Sequence, residues 1–116
     1  AESVNGSSTE IAGVEEFEAT GLTPVPSTQV TSPRVAESPV SLECKVISVQ
    51  QLSGLDGPPL NTWMVIGQVV AVHINSALLK DGIYDTASAR PILRGGGPAD
   101  YFEVLPSGLF QMTRPE

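Results

Sequence analysis

The chain has 116 residues, a net charge of −7 and only six lysines and arginines, so it carries no basic stripe to bind a nucleic-acid backbone or an anionic membrane surface. The length suffices for one domain with a core, and a hydrophobic share of 41% excludes wholesale disorder. Eleven glycines and ten prolines, many of them clustered, favour short strands and turns over a helical bundle.

Residues 1–10 are small and polar and are expected to form a mobile arm. Asn5-Gly6-Ser7 matches a glycosylation tripeptide, but without a secretion signal it reads as an exposed turn. Ile11, Val14, Phe17 and Leu22 fall at roughly helical spacing, with Glu15, Glu16 and Glu18 between them. That predicts a short helix over 12–20, capped by Gly21. Pro24, Pro26, Pro33 and Pro39 then make residues 23–39 an extended strap, because each proline also pushes its predecessor out of the helical region. Arg34 and Glu37 in this strap pair with each other, meet a partner subunit or face solvent.

From Val40 the pattern changes. Val40, Leu42, Cys44 and Val46 alternate with Ser41, Glu43 and Lys45, which is the period of a half-buried strand. On that alternation Cys44 is a buried, inert thiol. The phase shifts at Ile47 and Val49, which predicts a bulge or a strand end. Ser53–Asn61 is dense in turn residues. A second strand follows over 62–75, with Met64, Ile66, Val70, Val72 and Ile74 on one face. The other face, Trp63, Val65, Gly67, Val69, Ala71 and His73, is also largely apolar, so this strand is expected to be covered on both sides. Asp81-Gly82 marks a hairpin turn, residues 85–89 a capped helical turn, and residues 90–101 a glycine-rich loop.

The single cysteine, Cys44, excludes an internal disulfide, and a reducing compartment is the simplest expectation. No apolar run reaches the ~20 residues of a membrane helix, and the start lacks the basic-then-apolar pattern of a signal segment. The expected location is cytoplasmic.

Several blocks resemble the flavin reductase-like, FMN-binding split-barrel family. They are Gly21-Leu-Thr-Pro-Val-Pro-Ser27, Pro33-Arg-Val-Ala-Glu-Ser-Pro-Val-Ser-Leu-Glu-Cys44, Gly67-Gln-Val-Val-Ala-Val-His73 and Arg90-Pro-Ile-Leu-Arg-Gly-Gly-Gly-Pro-Ala-Asp-Tyr101. They occur in the family's order and cover nearly all of residues 12–101. The resemblance implies an all-β split barrel with one short helix, incomplete at its N-terminal side. The half that grips much of the flavin would precede residue 1, so residues 1–116 correspond to the C-terminal portion of one domain. It further implies FMN as cofactor, NADH or NADPH as hydride donor, and a homodimer or a complementary N-terminal chain as partner. The implied activity is hydride transfer to flavin, or through bound FMN to an acceptor. The alternative is a non-enzymatic β-barrel module that dimerises or binds a small ligand. In the glycine loop, Gly95 stands where relatives often carry a larger apolar residue.

Candidate cofactor contacts are His73, Arg94, Gly96 and Tyr101. His73 is the only histidine and shares a face with small residues, which would let a flat ring approach. The alternative for it is a strand-end histidine satisfied by a backbone carbonyl. Arg94 beside Gly95-Gly96-Gly97 has the chemistry of an anion site, since backbone N–H groups and a guanidinium converge there. Otherwise these glycines simply permit positive φ. Tyr101 either stacks on a ligand or packs half-buried. No side chain is assigned a catalytic step, because hydride transfer needs two positioned rings rather than an acid or base. No metal site is expected, for want of a second histidine.

Overall fold

The computed structural model describes residues 16–116. The expected arm, Asn5-Gly6-Ser7 and the first half of the expected helix lie outside the described residues. The helix is seen from Glu16 to Thr20 (α1). Gly21 ends it at φ +69°, with its N–H donating to the Phe17 carbonyl at 3.0 Å. A side chain at this φ would be strained, so glycine is the natural terminator.

The chain divides into two compact units, Leu22–His73 and a second made of Ile74–Glu116 with residues 16–21. In the first unit the proline-rich strap does not run straight. Pro24–Val25 (β1) and Arg34–Val35 (β2) pair antiparallel, Pro24 opposite Val35 and Val25 opposite Arg34. Residues 26–33 are therefore a loop that doubles back. The prolines set extended local geometry, as expected, but they also build the turn that folds the strap on itself. Arg34 and Glu37 do not pair. Glu37 accepts the Thr23 N–H with both oxygens, at 3.0 and 2.9 Å, and Arg34 donates to the Pro26 carbonyl at 3.4 Å.

Val40–Ser53 (β3) and Pro59–Ile74 (β4) form a two-stranded sheet. Only residues 54–58 connect them, too few for a parallel crossover, so they form an antiparallel hairpin. The Gly54 N–H donates to the Pro58 carbonyl, and the Gly57 N–H to that of Gly54, each at 3.1 Å. Gly57 takes φ +106°, which only glycine adopts comfortably. Pro59 sits at the first residue of its strand, where a missing N–H breaks no ladder. Strand β3 runs through the phase shift at Ile47 and does not end there.

The second unit holds two small antiparallel pairs. Leu79–Lys80 (β5) pairs with Ile83–Tyr84 (β6) through Asp81 and Gly82, at φ +53° and +77°. Two consecutive positive φ values match the right-handed twist of a tight hairpin, as Asp-Gly predicts. Thr86–Ala89 (α2) is capped by Asp85, whose side chain accepts from the Ser88 N–H at 3.4 Å and hydroxyl at 2.7 Å. Ile92–Arg94 (β7) then pairs with Tyr101–Glu103 (β8).

The strands among the described residues form four separate pairs, and none of these closes into a barrel. Among the described residues no hydrophobic side chain is buried. Leu42, Val46, Ile47 and Val49 of β3 stand exposed, as do Trp63, Val65, Val69 and Val72 of β4. The alternation predicted for β3 thus fails as a guide to burial. Leu42 is 57% exposed and Cys44 is exposed, whereas Glu43 is 2% exposed. Among the described residues nothing covers Leu42 and Val46, while the loop over 28–30 covers Glu43. Strand β4 has the composition of a doubly covered strand, and both its faces are open. No helix among the described residues is long and apolar enough to cross a membrane.

Candidate functional site at Glu43 and His73

A dense polar cluster in the first unit is built on Glu43. Its Oε1 accepts N–H bonds from Thr28 at 3.1 Å, Gln29 at 2.6 Å and Val30 at 3.2 Å. Its Oε2 accepts from the Thr28 N–H and hydroxyl, each at 3.0 Å, and meets Nε2 of His73. Three successive backbone N–H groups turned toward one point make an anion-binding concavity, and here its anion is the protein's own carboxylate. Burial works to raise the Glu43 pKa. The N–H groups of Gln29 and Thr28, the His73 ring and the Thr28 hydroxyl outweigh that and hold it at about 2, against an ordinary 4.5.

His73 is the penultimate residue of β4, and its side chain is 27% exposed. A carboxylate satisfies it, not the backbone carbonyl considered as the alternative from sequence. Its ring therefore has one nitrogen on a buried anion and a face that still reaches the surface. Gly67 is explained differently from the sequence expectation. A Cβ there would lie 3.1 Å from the Cys44 Cβ and 3.6 Å from the Lys45 carbonyl oxygen. The missing side chain lets β3 approach closely at Cys44. Glu43 was missed in the sequence because it fell on the polar phase of β3. The available signal was a carboxylate in a long apolar strand, in a chain with a single histidine.

In the second unit the structure brings Arg94 and Tyr101 together as cross-strand partners. Arg94 Nη1 donates to the Tyr101 hydroxyl at 2.8 Å, and the guanidinium carbon lies 5.1 Å from the ring centroid. Nη2 donates to the carbonyls of Gly97 and Pro98 at 3.3 and 3.2 Å. Arg94 thus staples the loop over 95–100, and much of its donor capacity is used within the protein. Gly95 closes the same loop by donating to the Asp100 carbonyl at 2.7 Å. A Cβ on Gly95 would lie 2.8 Å from the Phe102 ring, which explains why no larger residue stands there. Gly96 is open, with nothing within 4 Å of where a Cβ would be. Beside them Arg90 grips Glu103 with two bonds of 2.7 and 3.0 Å. No cluster of His, Cys, Asp and Glu among the described residues has the make-up of a metal site.

The model of the flavin reductase like domain matches residues 2–93. The chain belongs to the flavin reductase-like family. An uncharacterized protein of Halalkalibacterium halodurans is 42% identical over 97 residues, which are 83% of this chain and 46% of that protein. Nitrilotriacetate monooxygenase component B from Bacillus cereus superposes with a TM-score of 0.80 at 26% identity, over 95% of this chain and 53% of that one. A flavin reductase-type protein with a split barrel domain from Shewanella frigidimarina gives a TM-score of 0.70 at 29% identity, over 99% of this chain and 54% of that one. The fold is therefore of split-barrel type, left unclosed by the strands described here. The chain spans about half the length of the relatives it matches.

Proposed function

We propose that this chain is part of a flavin-dependent oxidoreductase that takes hydride from NADH or NADPH onto FMN, or through bound FMN to an acceptor. Membership of the flavin reductase-like family over residues 2–93 is the observation that carries this proposal. The residues present suit part of the task. His73 offers a partly exposed imidazole fixed at one nitrogen, suited to the polar edge of a planar ring. The exposed apolar side chains of β4 suit the ring's apolar face. When bound, the flavin supplies the redox chemistry, and the protein supplies position and electrostatics. Arg94 contributes by holding the 95–100 loop in shape, with Tyr101 as its partner and Gly96 as the open backbone position. The cytoplasm, with its reducing poise, suits a chain whose one cysteine stays free.

Titration of the full chain with FMN tests this, read by quenching of flavin fluorescence and by NADPH oxidation. Binding is expected, and His73→Ala should weaken it about tenfold, the scale of one lost polar contact. A chain that neither binds FMN nor oxidises NADPH overturns the proposal for these residues. One observation favours a second possibility. Large apolar side chains stand exposed along both strands of the long hairpin, which suits a module whose task is pairing, with a second copy or with a complementary chain. A module whose one task is pairing assembles in analytical ultracentrifugation yet leaves flavin fluorescence unquenched, and that combination distinguishes the two.

A further inference from the structure

We propose that Glu43 is a positioning residue that fixes which nitrogen of His73 faces a ligand. It holds the imidazole by Nε2–H and leaves Nδ1 as a free acceptor for a ligand N–H. This rests on the proposal that His73 faces a ligand, and adds to it the residue that sets the histidine's chemistry.

The geometry carries the argument. Both oxygens of Glu43 already receive donors: the N–H groups of Thr28, Gln29 and Val30, and the Thr28 hydroxyl. Backbone N–H groups can only donate, and they reach both oxygens; together with the lowered pKa they make the group an ionised, acceptor-only carboxylate at neutral pH. The one ring nitrogen that meets it, Nε2, must then carry hydrogen. In neutral imidazole only one nitrogen bears hydrogen, so Nδ1 is left with a lone pair. Among the described residues Nδ1 has no hydrogen-bond partner, and the side chain is partly exposed. A carboxylate on the far nitrogen also fixes the ring's orientation, as it does for histidines that bind metals or substrates elsewhere. The three N–H donors come from consecutive residues of one loop, so the carboxylate cannot swing away without releasing all three.

An acceptor nitrogen selects ligands that present N–H at the edge of a flat ring. The imide N–H of a flavin and the carboxamide of a nicotinamide share that chemistry. Neither arginine nor lysine could provide this acceptor, since both only donate.

Two-bond proton–nitrogen NMR correlations of the imidazole in the full chain, at a pH where the ring is neutral, report the tautomer directly. The Nε2–H form is expected, and a dominant Nδ1–H form would overturn the proposal. In Glu43→Gln the amide oxygen must take the loop N–H groups and turn its NH2 to the ring, so the tautomer should reverse. An unchanged tautomer in a folded Glu43→Gln chain also overturns it. Should that variant fail to fold, the wild-type spectrum still decides. FMN and NADPH are then added separately, and the ligand that presents its N–H should shift the Nδ1 resonance. Its affinity should fall about tenfold in folded Glu43→Gln. An Nε2–H tautomer with no Nδ1 shift from either compound overturns the ligand-facing role of His73. Such a result is distinct from loss of FMN binding, which the fluorescence titration reads independently.

Discussion

Glu43 shows how a single side chain can be misplaced by pattern and recovered by geometry. Its carboxylate gathers donors from a loop 13 to 15 residues earlier and from a histidine 30 residues later. Removing it strands three N–H groups at once. Glu43→Ala should therefore raise amide exchange at Thr28, Gln29 and Val30 by about tenfold or more, the scale of one lost charge-assisted bond. The pH dependence has a definite sign. The folded pKa is depressed, from 4.5 to about 2, so the stabilisation is complete above about pH 4.5 and is lost as pH falls toward 2. Glu37 and Asp85 are lowered too, Glu37 chiefly by the Thr23 side chain and backbone N–H and Asp85 by Ser88. Acid titration followed by exchange at 28–30 should show the loop loosening across that window. Cys44, exposed rather than buried, should alkylate without denaturant, as mass spectrometry would record.

At the scale of elements, turn chemistry was the most legible part of the sequence. Asp81-Gly82, the Asp85 cap and Gly21 each act through local backbone geometry, and each forms as its residue types require. Gly82→Ala should cost about 1 kcal/mol, the penalty of a Cβ at positive φ, measured as a lower denaturation midpoint. The strap was only half legible. Prolines dictate φ at their own positions but not where the chain turns, and the turn over 26–33 depends on the Glu43 carboxylate that its N–H groups surround. By its glycines and Arg94 the loop over 95–100 has the residue types of an anion site. Its cross-strand register instead puts the guanidinium on Tyr101 and two carbonyls, a pairing that spacing along the chain does not reveal.

For the whole molecule, the exposed strands decide behaviour. A two-stranded ribbon is marginal in water unless something packs on it, and β3 and β4 present large apolar side chains on both faces. Such surface drives association. The isolated chain is expected to self-associate, with sedimentation velocity showing species larger than 12.2 kDa. A monodisperse, cooperatively unfolding monomer would contradict this. If association covers the hairpin, Cys44 alkylation should slow as concentration rises, tying the solution state to a named face of the fold.

By itself the sequence determined the two long strands, the tight turns, the caps and the family, because these follow from local φ preferences, alternation and residue order. Only the tertiary structure decided that Glu43 is the buried residue of β3, that it holds the loop over 28–30 while Glu37 and Arg34 bond elsewhere in the strap, and that Arg94 serves its own loop. Those outcomes depend on contacts between residues far apart in the chain, and a two-residue period cannot say which side of a strand another segment will cover.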